Sequence, residues 1–139
     1  RWFDTKKIDP LFPFGYGLSY TTFDYSKPSV DKASVSGDGT IKISFTLTNS
    51  GKTDGAEIAQ LYVSKSKSKV PRAAKELKAF KKVFLKAGES QTVIMEVPVS
   101  SFAYYDEIKS GWVLEPGNYT LLLGSSSRDV RGKIDLKVL

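Results

Sequence analysis

The amino-acid sequence predicts an all-β protein, an antiparallel β-sandwich of about seven strands that follows an extended N-terminal tether. Apolar and polar residues alternate with a period of two over most of the chain, as they do in half-buried strands. Clusters of Gly, Pro, Asn and Asp separate the alternating runs at the spacing typical of sandwiches. A length of 139 residues, 40% of them hydrophobic, suits one modest core.

The first segment, Arg1 to Thr22, has neither helical nor strand periodicity and is rich in aromatic residues, Gly and Pro. We predict an ordered, non-regular tether over residues 1–22 and a sandwich over residues 23–139. Apolar side chains would be poorly placed in a free linker, so we expect the tether to lie against a surface of this domain or, in preference, of a neighbouring domain. The expected docking residues are Leu11, Phe12, Phe14, Tyr16, Leu18 and Tyr20.

Strict alternation begins at Thr40 and predicts the first clear strand. One side of this strand holds Ile41, Ile43, Phe45 and Leu47, and the other holds Lys42, Ser44, Thr46 and Thr48. A connection is predicted at Asn49 to Gly55, because Asn, Ser, Gly and Asp favour turns. The strand after it has Ala59, Leu61 and Val63 on a common face.

The later runs alternate in the same way and complete the set of strands. Their common faces hold Val93, Met95 and Val97, then Tyr119, Leu121 and Leu123, then Ile134, Leu136 and Val138. Seven or so strands with such turns fit an immunoglobulin-like sandwich. Tyr119 follows a Pro116-Gly117 turn, which predicts a tyrosine corner that anchors a connection through its hydroxyl.

Two segments permit more than one interpretation. Between Pro71 and Lys86, Leu77, Phe80 and Phe84 fit a helical stripe, whereas Val83 and Leu85 favour the strand that we predict. The other segment is Ser100 to Asp106, where a single helical turn capped by its first two serines is predicted.

Cysteine and histidine are both missing from the sequence. Disulfides, thiolate and imidazole metal sites, and nucleophiles activated by histidine are therefore excluded. Glycoside hydrolysis needs two carboxyl groups across a sugar, but Asp106 and Glu107 would point to opposite faces of a strand. The acids Asp54, Glu89 and Glu115 lie near turn glycines, where polar residues are common. We predict no catalytic residue, no metal site and no cofactor in this chain.

The net charge of +6 includes a lysine run from Lys65 to Lys69. No nucleic-acid recognition element accompanies this run, so we interpret it as a solvated loop and predict no nucleic-acid partner. No stretch approaches the ~18 apolar residues of a membrane helix, and no membrane partner is predicted. The residues from Arg1 to Pro10 lack the apolar core of a signal peptide, so we expect the sequence to begin within a longer chain.

Aromatic rings near lysines could also form a surface that binds a polymer, although packing in the core or an interface is the favoured interpretation. The candidate polymer-binding residues are Trp112, Tyr104, Tyr105, Lys65, Lys67 and Lys69. A candidate glycosylation site is Asn118, which opens an Asn-Tyr-Thr sequon directly after a turn.

Successive blocks of the sequence resemble one known family. The run PLFPFGYGLSYTTF, from Pro10 to Phe23, is similar to the segment that joins the second catalytic-region domain of family 3 glycoside hydrolases to their last domain. The opening Arg1 to Asp4 resembles the end of the stretch before it. Blocks similar to the family's fibronectin-type-III-like domain follow in order at Asn49–Gly51, Gly55–Glu57, Gln60–Val63, Lys75–Val83, Gly88–Ser90 and Gly124–Asp129. The resemblance covers essentially the whole chain.

This resemblance implies the C-terminal fibronectin-type-III-like domain of a retaining hydrolase of the β-glucosidase or β-xylosidase type. The family's Asp nucleophile and Glu acid/base belong to earlier domains, and none of its catalytic positions maps onto this sequence. The implied role is an accessory structural module that packs on the catalytic domains of the same parent chain. The alternative is a module that binds cell-wall polysaccharide or lignin. Because family parents are often secreted or periplasmic, we expect that location.

Overall fold

A computed structural model of the chain describes residues 21–66, 68 and 75–139, which fold as a β-sandwich. Ten strands are present among these residues: β1 (Phe23–Val30), β2 (Ser34–Val35), β3 (Thr40–Asn49), β4 (Gly55–Lys65), β5 (Glu76–Leu85), β6 (Ser90–Pro98), β7 (Tyr104–Asp106), β8 (Gly111–Val113), β9 (Gly117–Ser126) and β10 (Asp129–Val138). Seven of them have eight or more residues, which agrees with the predicted number, and the three extra strands are short. The predicted all-β sandwich is confirmed.

Two sheets pack face to face and a small hairpin is added. One sheet has three antiparallel strands in the order β1-β3-β6, and the other has five in the order β2-β10-β9-β4-β5. In the larger sheet only the short β2 runs parallel to its neighbour β10 among the described pairings. The hairpin consists of β7 and β8. No helix in the described part of the chain is long and apolar enough to cross a membrane.

The core lies between the two sheets and is built from the predicted alternating faces. Ile43 is paired with Met95 and Phe45 with Val93 across β3 and β6, and all four side chains are buried. The facing sheet contributes Ala59, Leu61, Val63, Tyr119, Leu121, Leu123, Leu136 and Val138. Full burial of each large apolar side chain stabilises the fold by about 1.5–3 kcal/mol relative to exposure.

Strand β5 confirms the strand prediction for the described part of the Pro71 to Lys86 segment. Val83 and Leu85 point into the core, whereas Phe80 and Phe84 point away from it, so the helical interpretation is wrong. A bulge in the pairing with β4 leaves Lys78 without a ladder partner and places Leu77 on the outer face with the two phenylalanines.

A 3-10 helix, Val99–Phe102, overlaps the start of the segment from Ser100 to Asp106 in which a helical turn was predicted, whereas the end of that segment, Tyr104–Asp106, is strand β7. The predicted serine caps are wrong, because the N-cap residue is Pro98 and no side chain caps it. Instead, the Ser101 hydroxyl donates a hydrogen bond to the Pro98 carbonyl.

The division into a tether, residues 1–22, and a sandwich, residues 23–139, stays a prediction. The first described strand begins at Phe23. All six expected docking residues of the tether lie outside the described residues; they are Leu11, Phe12, Phe14, Tyr16, Leu18 and Tyr20.

Candidate docking surface and binding residues

The outer face of the three-stranded sheet is polar. Its strands carry cross-strand hydroxyl pairs, with 2.9 Å between the oxygens of Ser29 and Ser44 and 2.7 Å between those of Thr48 and Ser90. The large apolar residue Ile94 is exposed on this side. Such a hydroxyl-rich surface is suited to contact with water.

The outer face of the five-stranded sheet has a different character along β5. Phe80 is 69% exposed and Phe84 61% exposed, and the Leu77 side chain is also exposed. The residues paired with these three on β4 include Tyr62, and Ile58 lies between the paired positions, so the apolar side chains form a stripe across the two strands. We call Leu77, Phe80, Phe84, Ile58 and Tyr62 the β5 face.

The β5 face also carries charge and ends against a turn. Lys82 lies between the two exposed phenylalanines and is paired with Ile58. On the side of the β5 face toward β9, the Leu122 side chain is buried. Burial raises the pKa of Tyr62, and the hydrogen bonds of Tyr62 with Ser127, in the β9–β10 turn, act in the opposite direction. The Lys75 ammonium group donates a 2.6 Å hydrogen bond to the Ser127 carbonyl. The β9–β10 turn therefore covers the inner part of the stripe and leaves the β5 side open.

The β7–β8 hairpin brings together two of the candidate polymer-binding residues. Tyr105 and Trp112 are cross-strand partners, with ring centroids 5.5 Å apart and ring planes at 79°. Trp112 is 73% exposed and Tyr105 is half-exposed. Asp106 holds the tip of the hairpin, because its carboxylate accepts hydrogen bonds from the backbone N–H groups of Ile108 and Lys109.

The other candidate polymer-binding residues do not join this aromatic pair. Tyr104 is adjacent to Tyr105 on a strand and therefore points to the other side of the hairpin. The Lys65 ammonium group donates to the Ser66 carbonyl at 2.6 Å and lies 5.6 Å from the centroid of the Tyr119 ring. Lys67 and Lys69 lie outside the described residues.

The candidate glycosylation residue, Asn118, has an exposed side chain on β9. Its backbone carbonyl accepts a hydrogen bond from Ser66 N–H. Within the sequon the side chain of Asn118 is exposed, Tyr119 is buried and Thr120 is half-buried, and modification of Asn118 stays a prediction.

A partly buried polar cluster connects β1, β4 and β10. The Tyr25 hydroxyl donates a 2.9 Å hydrogen bond to Glu57, and the Arg131 guanidinium donates to Asp129 at 2.7 Å and to the Phe23 carbonyl at 2.8 Å. Burial raises the pKa of Glu57, and burial together with the Glu57 carboxylate raises the pKa of Tyr25. The hydrogen bond from Arg131 lowers the pKa of Asp129.

This cluster was not predicted from the sequence, although the alternation of β4 contains a signal for it. Because Ala59 and Leu61 face the core, a period of two also turns Glu57 inward. The carboxylates of Glu57 and Asp129 each hold a hydrogen bond that connects strands or orders the β9–β10 turn. We therefore assign the cluster to structure rather than to catalysis. Among the described residues no group of three acids is arranged to hold a metal ion.

The fold and the surfaces define a β-sandwich module of the fibronectin type III-like class. A family model for the fibronectin type III-like domain matches residues 57–127. The chain belongs to this family, as the resemblance of its sequence blocks implied.

The proteins that the chain resembles over nearly its whole length are larger hydrolases. It is 50% identical over 138 residues to thermostable beta-glucosidase B of Acetivibrio thermocellus, covering 99% of this chain and 18% of that protein. It is 42% identical over 139 residues to beta-glucosidase BoGH3A of Bacteroides ovatus, covering 19% of that protein. The crystal structure of a GH3 beta-glucosidase from Bifidobacterium adolescentis matches 89% of this chain and 18% of its own, at 40% identity and a TM-score of 0.80.

The chain thus spans less than a fifth of the length of these relatives. It corresponds to the fibronectin type III-like domain of family 3 glycoside hydrolases, whose catalytic residues lie in other domains. This result confirms the family that the sequence blocks indicated.

Proposed function

We propose that this chain is an accessory module that packs on the catalytic domains of its parent hydrolase and stabilises them through the β5 face. The parent is an enzyme that removes terminal β-linked sugars. The observation that supports this proposal is the exposure of Phe80 and Phe84, two large apolar side chains on the outer face of β5, in a sandwich whose core is already filled by other residues.

Contact with a partner would bury these rings at a substantial gain. Full burial of a Phe or Leu side chain is worth about 1.5–3 kcal/mol relative to full exposure, and Leu77, Phe80 and Phe84 are 49%, 69% and 61% exposed, so covering them would contribute roughly half to two-thirds of that amount each. Contiguous exposed apolar patches mark interaction surfaces in soluble proteins. The polar outer face of the other sheet offers no comparable gain, so docking through the larger sheet is favoured.

The chemistry of the β5 face also describes its partner surface. Lys82 stands between Phe80 and Phe84, and its ammonium group would be desolvated when the rings are covered. A matching surface is therefore apolar with a carboxylate opposite Lys82. Such a surface on the catalytic domains of the same chain would fix both the position and the register of the module.

The test uses the parent enzyme without this module, to which the 139-residue chain is added in trans. Activity on chromogenic β-glucoside and β-xyloside and thermal stability are measured with wild-type chain and with the Phe80→Ser/Phe84→Ser variant. The matched control is Ile94→Ser, which removes an exposed apolar residue from the other sheet. The concentration of added chain that gives half of the effect on activity or stability measures its affinity for the enzyme. We expect this concentration to be at least about tenfold higher for the double variant, because central aromatic contacts dominate interface energies.

Two results would contradict the proposal. Equal binding by the double variant and by the Ile94→Ser control would show that the β5 face is not the docking surface. Turnover of either substrate by the isolated chain would show that the chain is not merely accessory.

The exposed pair Trp112 and Tyr105 favours a second candidate function, binding to cell-wall polysaccharide or lignin. Flat indole faces stack against sugar rings and against aromatic polymers. Retention of the chain on insoluble cellulose, xylan and lignin is compared with that of Trp112→Ala, at low and moderate salt. Loss of retention in the variant supports aromatic stacking, whereas retention that disappears with salt alone indicates lysine electrostatics.

A secreted or periplasmic location of the parent is part of the same proposal. The exposed side chain of Asn118 supports it, since N-linked glycans are added to surface sequons of secreted proteins. Fractionation of the source cells, with detection of the parent in each fraction, tests the location.

A further inference from the structure

The turn after β3 contacts Thr21 and Thr22, the two residues directly before β1. Asn49 is 0% exposed, and its amide nitrogen donates to the carbonyls of Thr53 at 2.9 Å and Leu85 at 3.0 Å. Its amide oxygen accepts from the Thr21 hydroxyl at 2.8 Å and from Gly51 N–H at 3.0 Å. One buried side chain thus binds its own turn, the end of β5 and the incoming segment.

Gly51 leaves the space through which this segment passes. A Cβ atom at this position would lie 1.8 Å from the Thr21 hydroxyl oxygen and 3.0 Å from the Thr22 nitrogen. Next to it, Ser50 N–H donates to the Thr22 carbonyl at 2.9 Å, and the two hydroxyl oxygens are also 2.9 Å apart. The turn therefore forms hydrogen bonds with both the backbone and the side chains of residues 21 and 22.

Arg131 holds the next residue from the opposite sheet. Its guanidinium donates to the Phe23 carbonyl at 2.8 Å and lies 5.8 Å from the centroid of the Tyr25 ring. The guanidinium is oriented by Asp129, which in turn accepts a hydrogen bond from the Ser125 hydroxyl. Residues 21–23 are consequently held by both sheets of the sandwich.

We call Asn49, Gly51, Asp129 and Arg131 the entry clamp. The docking function of the β5 face uses none of these four residues. The β1 ladder itself begins at Phe23, paired with Asn49. The Thr21 hydroxyl is outside that ladder, so its hydrogen bond orders chain that the sandwich does not need for its own sheet.

We infer that the entry clamp fixes the direction in which the chain passes between the sandwich and the preceding domain, and so sets the orientation of the β5 face toward that domain. This inference rests on the proposed docking function. Thr21 is accordingly a positioning residue. A chain held at residues 21–23 limits the orientations from which the docked module must select, which strengthens docking without adding a contact.

The test is made in the full-length parent hydrolase. Thr21→Val removes the hydroxyl and preserves the shape, while Gly51 N–H still donates to the Asn49 amide oxygen. The matched control is Thr48→Val, which removes a hydroxyl bonded to Ser90 at 2.7 Å, away from the junction. We expect Thr21→Val to lower kcat/KM on a chromogenic β-glucoside by about threefold to tenfold, the range that changes in coupling produce, and the control to leave it unchanged.

A second readout separates positioning from a merely structural effect. Spin labels are placed on the sandwich, at Glu107→Cys, and on a surface residue of the preceding domain, and the distribution of distances between them is measured. Thr21→Val is expected to broaden this distribution. Because the Thr22 and Ser50 hydroxyls are adjacent, the pair Thr22→Cys/Ser50→Cys is suited to form a disulfide. Added to the Thr21→Val variant, this pair should restore both the activity and the narrow distance distribution when it is oxidised, but not when it is reduced.

The outcomes distinguish this inference from the function on which it rests. If deletion of the whole module leaves the parent's activity and stability unchanged, the docking function fails and the clamp fails with it. If deletion is harmful but Thr21→Val behaves like Thr48→Val, the docking function stands and the clamp is refuted. A fall in activity with an unchanged distance distribution also refutes it, since orientation was not altered.

Discussion

The Tyr119 hydroxyl donates a 2.7 Å hydrogen bond to the backbone carbonyl of Glu115, four residues earlier, in the interior of the protein. The Tyr119 ring packs on Phe102 with 5.3 Å between centroids. Gly117, between the two partners, has a φ of +121°, which only glycine adopts readily. The connection into β9 is thus tied to the core, and the tyrosine corner predicted from the Pro116-Gly117 turn is confirmed.

Tyr119→Phe removes this hydrogen bond and keeps the ring. We expect the free energy of unfolding to fall by about 1–2 kcal/mol, because the bond is buried and its loss leaves a desolvated carbonyl less well satisfied. Urea unfolding measures the change, with a lower midpoint and an unaltered slope. Tyr105→Phe, on the exposed hairpin, is the control and should change stability by less than about 0.5 kcal/mol. Equal effects at the two positions would show that the corner contributes nothing.

Glu57→Gln tests the buried carboxyl group beside Tyr25. Glutamine retains an oxygen that accepts the Tyr25 hydrogen bond, but it carries no charge. In the folded state burial raises the pKa of Glu57 above its ordinary value of 4.5. At pH values between 4.5 and the folded-state pKa, the folded protein therefore binds more protons than the unfolded chain. The wild type therefore loses stability as the pH rises from about 4.5 through the folded pKa.

The expected result is a pH-dependent gain for the variant. The free energy of unfolding of Glu57→Gln relative to wild type should increase as the pH is raised from about 4 to about 8, measured by urea unfolding across that range. Glu96→Gln, which removes an exposed carboxylate from β6, is the control and should show no such trend. A wild type that gained stability over Glu57→Gln with rising pH would mean that burial does not raise the pKa of this carboxyl group.

The extent to which sequence anticipated structure depended on the range of the interactions. Alternation is a local consequence of strand geometry, so the inward faces, such as Phe45 and Leu121, were predictable. The bulge at Lys78, which turns Leu77 outward, depends on the pairing of β5 with β4 and interrupts the period without a local signal. The contact of Arg131 with the Phe23 carbonyl joins residues 108 apart in sequence, so no local pattern indicates it.

The candidate site was predicted less completely than the fold for a similar reason. Composition identified aromatic residues and lysines, but not which of them share a surface. Trp112 and Tyr105 are adjacent only because their short strands pair, and the ammonium group of Lys65 is directed to Ser66 and Tyr119 instead.

Asn49 offers a sharp test of the hydrogen bonds at the turn after β3. Asn49→Ala should lower the free energy of unfolding by about 2–4 kcal/mol, since several buried groups lose a partner. The aspartate of Asn49→Asp has the same shape as asparagine. At about pH 7 this variant should nevertheless be no more stable than Asn49→Ala, because a carboxylate oxygen would face the carbonyl oxygens of Thr53 and Leu85. Acidification to about pH 4 should recover part of the loss in the Asp variant alone, as a protonated carboxyl group can donate.

The control for Asn49 is Asn118→Asp, which makes the same change at an exposed position of β9 and should alter stability by less than about 0.5 kcal/mol. Urea unfolding at the two pH values measures all three variants. An Asn49→Asp variant as stable as wild type at neutral pH would mean that the amide nitrogen does not donate to the two carbonyls.

Val83 and Phe84 are neighbours on β5, and their truncation should lower the stability of the isolated chain by very different amounts. Val83 is 4% exposed in the core, whereas Phe84 is 61% exposed on the β5 face. Val83→Ala should therefore cost about 1–3 kcal/mol through lost burial and a small cavity, and Phe84→Ala, although it removes far more atoms, should cost the isolated chain less than about 0.5 kcal/mol. Because a shift of one residue in register exchanges the two faces of a strand, reversed effects would mean that β5 pairs with β4 in a different register and that the proposed docking through the β5 face is wrong. Urea unfolding of the two single variants decides between these outcomes.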